Sequence, residues 1–253
     1  MNQENNIKLS VVIPAYNEEK RLPLTLFDID KYLSRQKYPS ISSGQANYEI
    51  IVVNDGSKDG TAKAVNDLTG QIKNLRLIDN KDNHGKGYVT RQGMLEAKGE
   101  YRLFMDADNS TSVDQVENMW PYFEQGFDVV IGSRDAKGAV LDPPQPASRL
   151  FLGEIFGLFT SIMCGTWGIK DTQCGFKGFT RKAAENIFPK CRIDRFAFDP
   201  EILIIAKKLK YKIKEMPVHW KNDLESKVKF KSMVKMGMDL VKIRGNIIKG
   251  IYN

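Results

Sequence analysis

Asp106 and Asp108 stand one residue apart, directly after the apolar run Tyr101-Arg-Leu-Phe-Met105. In an extended chain, residues i and i+2 point to the same side. The two carboxylates therefore meet at the end of a strand, where they repel unless a cation lies between them. A hard divalent ion such as Mg²⁺ takes oxygen ligands and bridges carboxylates to phosphates. A bare Asp-X-Asp is more often a pair of solvated turn residues, so its company must decide the reading. Lys86, between Gly85 and Gly87, sets a compact positive charge on backbone that a phosphate can approach closely. Alone, Gly-Lys-Gly also fits a surface hairpin. Asp55, in Asn54-Asp-Gly-Ser57, reads equally as a turn cap or as a ligand.

These groups need a frame that brings them to one edge. The pattern predicts short strands at Leu9–Ile13, Tyr48–Val53, Leu75–Ile78, 101–105 and Phe127–Ile131. Helices are expected over Leu24–Gln36, from Thr61, and over Tyr88–Lys98. Strand–helix alternation predicts an α/β fold with a parallel, Rossmann-like sheet. Ligands of such sheets bind beyond the carboxyl ends of the strands. The polar segments 14–19, 54–61, 83–87, 106–111 and 132–134 all fall at those ends. Pro39–Asn47 and the Pro-rich stretch Asp135–Ser148 read as loops, the second as a mobile one. Residues 150–169 hold one charge, Glu154, and would just reach across a bilayer. Four glycines and the glutamate favour a buried or membrane-surface helix instead.

The chain's 253 residues suffice for one large α/β domain or two small ones. With 42% hydrophobic and 27% charged residues it is a folded composition, not a disordered one. Cys164, Cys174 and Cys191 are odd in number and form no Cys-x-x-Cys pair, so they are expected reduced and buried, in a cytosolic setting. His84 and His219 are the only histidines, which poorly supplies a His-based metal site or a Ser-His-Asp triad. The polar N-terminus lacks the basic-then-apolar order of a signal peptide. Residues 202–253 carry 13 basic and 4 acidic side chains, a net +9, against −2 for the rest. Such asymmetry points to an anionic partner. Within 226–251, Val234, Met238, Val241 and Ile248 fall near one helical face. Lys229, Lys231, Lys235, Lys242, Arg244 and Lys249 add positive charge. A basic amphipathic helix suits a membrane surface; a helix packed on the domain with solvated lysines fits as well.

Taken in chain order, Pro14-Ala-Tyr-Asn-Glu18, Val53-Asn-Asp-Gly-Ser-Lys-Asp-Gly-Thr61, Asn83-His-Gly-Lys-Gly87 and Asp106-Ala-Asp108 resemble the GT-A fold glycosyltransferases of family 2. The resemblance covers about residues 9–245. Asp171-Thr-Gln-Cys-Gly-Phe-Lys177 and Arg195-Phe-Ala-Phe-Asp199-Pro-Glu201 look like the branch that glucosylates dolichyl and other polyprenyl phosphates.

The resemblance implies a catalytic domain over 1–225, with a nucleotide-sugar half (9–135) and an acceptor half (136–225), followed by a membrane-surface helix over 226–253. It implies a nucleotide-sugar donor, UDP-glucose foremost, lined by Pro14, Tyr16, Glu18, Asp55, Lys86, Asp106, Ala107 and Asp108. Asp106 and Asp108 would hold Mg²⁺ or Mn²⁺. Ser110, where relatives often supply a further ligand, is a poor one. Arg134, Lys177, Arg149 and Arg195 would line the path of the acceptor phosphate. Arg149 alone reads better as a solvated surface charge. Asp199 would lie near the acceptor, and Asp171 would orient groups at the reacting centre. Direct attack would invert the anomeric carbon and give a β-linked product. Attachment is expected to be peripheral, on the cytoplasmic face of a membrane, with no N-terminal anchor, no nucleic-acid partner and self-association left open.

Other readings stay open: GDP-mannose or UDP-N-acetylglucosamine as donor, or a glycan as acceptor. A nucleotidyltransferase would open with a Gly-rich, Arg-containing loop, and a nicotinamide dehydrogenase with Gly-x-Gly-x-x-Gly, where Pro14-Ala-Tyr-Asn-Glu18 stands. A non-catalytic adaptor built on the basic tail would leave the strand-end segments unexplained.

Overall fold

The computed structural model describes residues 7–36, 48–144, 147–221 and 230–252. The elements run β1 (Leu9–Ala15), α1 (Leu22–Leu33), β2 (Tyr48–Asp55), α2 (Thr61–Leu68), β3 (Leu75–Asn80), α3 (Lys86–Glu96) and β4 (Tyr101–Met105). They continue with α4 (Trp120–Glu124), β5 (Val129–Ser133), β6 (Val140–Asp142), α5 (Ala147–Cys164), β7 (Phe176–Thr180) and α6 (Arg181–Ile187). Last come α7 (Phe198–Lys208), β8 (Ile213–Pro217), β9 (His219–Lys221) and α8 (Phe230–Ile248).

A seven-stranded sheet has the order β3-β2-β1-β4-β7-β5-β8, and β6 pairs with β9 in a small second sheet. Every residue of β1 and β2 is buried, as expected for strands covered on both faces. Alternation sorts their side chains. Val11, Ile13, Ile50 and Val52 meet α1 and α2 on one side, while Val12, Ile51 and Val53 meet α3, α6 and α7 on the other.

β7 is the one antiparallel member of this sheet. It pairs with β4 through Met105↔Phe176 and with β5 through Ile131↔Lys177. The run Phe176–Thr180 is short and gives little period signal, so neither it nor β8 was expected. Its insertion means that residues on both sides of position 135 build one sheet.

Helix α1 starts two residues before the expected Leu24, with Pro23 in its first turn, where a missing N–H costs nothing. The expected loop Pro39–Asn47 lies outside the described residues. The expected loop Asp135–Ser148 contains β6, paired with β9 through Leu141↔Trp220.

α5 and α8 pack against each other. Met236, Leu240 and Ile243 of α8 face inward, and the last two join the same core as Val12 and Phe104. Val234, Met238, Val241 and Ile248 face outward and are exposed. α8 is thus packed on the domain and still presents an apolar face. Ile155, Leu158 and Ile162 of α5 are exposed too. Among the described residues, no helix is long and apolar enough to cross a membrane. Cys164, Cys174 and Cys191 are buried and unpaired.

Candidate active site

The carboxyl ends of β1, β2, β3, β4 and β5 lie on one edge of the sheet, and each bears its expected polar segment. Asp106 and Asp108 follow β4. Because β7 runs antiparallel beside β4, the segment 171–175 that precedes it arrives at the same end. Gly175 lies against Asp106 so closely that a β-carbon there would sit 2.1 Å from Asp106 Oδ2. This close approach joins two segments far apart in sequence and demands glycine.

The Lys86 ammonium donates to Asp106 Oδ1 at 2.5 Å. Burial would push this ammonium down; Asp106, then Asp199 and Asp108, hold it above the ordinary lysine range. The glycines beside Lys86 were expected to admit a phosphate. Here they admit protein backbone. Gly85 has φ of 110°, and β-carbons at Gly85 and Gly87 would lie 2.4 Å from Asp194 O and 2.5 Å from Ile193 O.

Ser110 supports Asp108, donating its N–H to Oδ1 at 3.0 Å. Burial first, and Asp106 second, push the Asp108 carboxyl up. Two anions so placed are short of positive charge. The pair fits Mg²⁺ or Mn²⁺ because it offers hard oxygens and no softer donor. Among the described residues, no third acidic, His or Cys side chain joins the cluster. Further ligands would have to come from substrate and water.

Asp55 was expected to take a base or ribose. Its carboxylate accepts from Asn83 Nδ2 (2.8 Å), His84 N (2.7 Å) and Gly85 N (2.9 Å), which orients it at the strand end. It fixes the loop that leads into Lys86. Glu18 is likewise gripped by Arg21, at 2.8 and 2.9 Å. Pro14 and Ala107 are buried, so their contribution is backbone shape. Tyr16 is exposed beyond β1 and open to a planar ligand. Arg195, expected on the acceptor side, lies by the loop after β3, with Nη1 3.4 Å from Asn83 Oδ1.

At the end of β5, Arg134 and Asp171 form a two-pronged ion pair, and the Arg134 N–H adds a third bond to Oδ2 at 3.0 Å. The guanidinium also lies 5.4 Å from the Trp220 ring centre. Asp171 Oδ1 further accepts from the N–H groups of Gln173 and Cys174. Burial would raise this carboxyl, but Arg134 outweighs it and holds it down at about 2. A carboxylate held so low is a weak proton acceptor near neutral pH.

Lys177 departs furthest from expectation, while Asp199 lies among Lys177, Lys86 and Asp106. The Lys177 side chain is wholly buried. Its ammonium donates to Asp199 Oδ1 and Cys174 O, both at 2.5 Å, and lies 5.3 Å from the Phe104 ring centre. In the middle of the sheet it cannot line a solvent path. The Arg149 backbone lies in α5, and its side chain is outside the described residues.

The model of glycosyl transferase family 2 matches residues 10–188. The chain belongs to that family. This glycosyltransferase is 41% identical to the dolichyl-phosphate beta-glucosyltransferase of Dictyostelium discoideum, over 99% of the chain and 78% of the relative. It is 37% identical to the human enzyme of the same name, over 97% and 77%. The transferase also shares its fold with two solved structures. Mannosyl-3-phosphoglycerate synthase from Rubrobacter xylanophilus superposes with a TM-score of 0.64 at 18% identity, over 96% of this chain and 75% of that one. Glucosyl-3-phosphoglycerate synthase from Mycobacterium tuberculosis, in complex with Mn²⁺, UDP and glucosyl-3-phosphoglycerate, gives 0.63 at 15%, over 95% and 79%. The expected GT-A architecture is the one observed.

Sequence reasoning missed two supports of the transferase's site. Trp220 stacks on Arg134 from β9. Glu215 on β8 accepts from the N–H groups of Lys170 and Asp171. Neither had a local signal, because each acts across strands or loops far apart in sequence.

Proposed function

We propose that this glycosyltransferase moves glucose from UDP-glucose to a dolichyl or other polyprenyl monophosphate, with inversion, at a membrane surface. The observation that carries the reading is the match to dolichyl-phosphate beta-glucosyltransferases along nearly the whole chain. The strand-end site supplies chemistry that agrees with it.

Asp106 and Asp108 would hold Mg²⁺ or Mn²⁺, which when bound neutralises charge on the leaving diphosphate. Lys86, beside Asp106, adds positive charge at the same place. A phosphate monoester has a second pKa near 6 and is largely ionised at neutral pH, so the acceptor needs no base. One of its oxygens attacks the anomeric carbon, the bond to the diphosphate breaks, and UDP leaves with the electron pair. Arg134, oriented by Asp171 and Trp220, offsets repulsion between acceptor and diphosphate.

Peripheral attachment to a membrane surface is supported by the exposed apolar residues of α8 and α5. Lys235, Lys242 and Arg244 on α8, and Lys249 just after it, are exposed. Each such charge near anionic lipid contributes about 1 kcal/mol.

The test is transfer of radiolabelled sugar from UDP-glucose, UDP-N-acetylglucosamine and GDP-mannose to a polyprenyl phosphate, with Mg²⁺, Mn²⁺ or EDTA. The expected result is metal-dependent labelling from UDP-glucose. Labelling from another donor would reassign the sugar, and donor hydrolysis alone would remove the lipid acceptor.

A further inference from the structure

Tyr252, next to last in the chain, is wholly buried. Its hydroxyl donates to Glu201 Oε1 at 2.6 Å and accepts from Asn246 Nδ2, on α8, at 2.9 Å. Glu201, in the first turn of α7, is also wholly buried. Its two oxygens take the N–H groups of Arg192 and Ile193, each at 2.9 Å. An anion in the core is costly unless such donors satisfy it.

The segment 191–195 clamped by Glu201 leads to the donor side. The Asp194 carbonyl accepts from Tyr88 N at 3.1 Å. Arg91 reaches back to Cys191 O at 3.1 Å and Asp194 Oδ1 at 2.9 Å. The same segment presses on Gly85 and Gly87, which flank Lys86. Lys86 in turn bonds Asp106. An unbroken series of contacts thus runs from α8 and the C-terminal tail to the charged pair beside the donor.

We propose that Glu201 and Tyr252 are positioning residues for the donor site. By holding the segment 191–195 against the start of α3, they set where Lys86 stands relative to Asp106. The proposal rests on the reading of this site as the one that takes a nucleotide sugar. It makes Tyr252, just after the helix proposed to meet the membrane, part of what orders the donor pocket.

The test uses the full chain with Tyr252→Phe, which keeps the ring and loses only the hydroxyl. Glu201→Gln is the second variant should the first accumulate poorly. Amide exchange at 85–91, read without substrate, is expected to quicken roughly tenfold, led by Tyr88. The donor KM is expected to rise roughly three- to tenfold while the acceptor KM holds. In a Lys86→Met background the same change should add little, because both substitutions remove one coupled effect.

Unchanged exchange at 85–91, or losses additive with Lys86→Met, would overturn the proposal. So would a fall in Tm with both KM values unmoved. A wild-type chain inert toward every nucleotide sugar would sink the donor reading instead, and the exchange measurement would still decide the coupling.

Discussion

Asp171 grips Arg134 with both carboxylate oxygens, Nε to Oδ2 at 2.7 Å and Nη2 to Oδ1 at 2.9 Å. Lysine cannot reproduce this planar fork. Arg134→Lys is therefore expected to keep the fold, with Tm within a few degrees, and to lower kcat/KM by about 100-fold. Steady-state kinetics with the acceptor varied, beside a melting curve, check this. Near-wild-type turnover would show that only charge is needed at the end of β5.

The same pair sets a pH dependence. Its folded carboxyl sits at about 2 against an ordinary 3.8. The native state thus binds this proton less tightly than the unfolded chain. The pair's contribution is full above about pH 4 and is lost as pH falls toward 2. The Tm difference between wild type and Asp171→Asn should be constant from neutral pH down to about 5 and shrink below 4. A difference that instead shrinks near neutral pH would contradict the assignment.

Lys177 and Asp199 are predicted to act on stability. Lys177→Met leaves Asp199 buried without its cation and is expected to cost about 3–5 kcal/mol. Adding Asp199→Leu should recover much of that loss. Denaturant unfolding of the single and double variants reads both effects. A stable Lys177→Met with a raised acceptor KM would return Lys177 to the phosphate path.

Asp106→Asn removes half of the proposed metal pair and the partner of Lys86. Transfer should fall by about 100- to 1000-fold, and Mn²⁺ binding by calorimetry should weaken. Vesicle binding should be unchanged, since α8 is untouched. Loss of vesicle binding as well would mean that donor site and tail are not separable.

Met238→Ser together with Val241→Ser removes apolar surface that is largely exposed. Partitioning onto anionic vesicles is expected to drop roughly tenfold, with Tm unmoved. Sedimentation with vesicles measures it. Equal partitioning would assign the exposed face another use.

Much of the frame was legible because its signals are local. Leu9–Ile13 and Tyr48–Val53 are continuous apolar runs closed by turn residues, and that pattern marks buried parallel strands wherever they fold. The polar segments that follow had to collect at one edge once the strands were parallel. The α8 stripe of Val234, Met238, Val241 and Ile248 needed only the helical period.

By itself, then, the sequence determined the sheet's parallel core, the edge where chemistry would gather and Asp106 with Asp108 as its centre. Only the tertiary structure decided which charges are available there. Lys86 and Lys177 each neighbour a glycine-bearing turn, yet one stands at the site edge and the other is sealed in the sheet. Asp55 and Asp171 look like free carboxylates in sequence, yet Asp55 is held by donors from 83–85 and Asp171 by Arg134 together with its own neighbours Gln173 and Cys174. These outcomes follow from β7 entering antiparallel between β4 and β5, and from the segments 83–85 and 191–195 folding back on α3 and Asp55. Pairings of that kind join residues far apart along the chain. No periodicity records them, because they are set by which strand edges and backbone groups remain to be satisfied when the core closes.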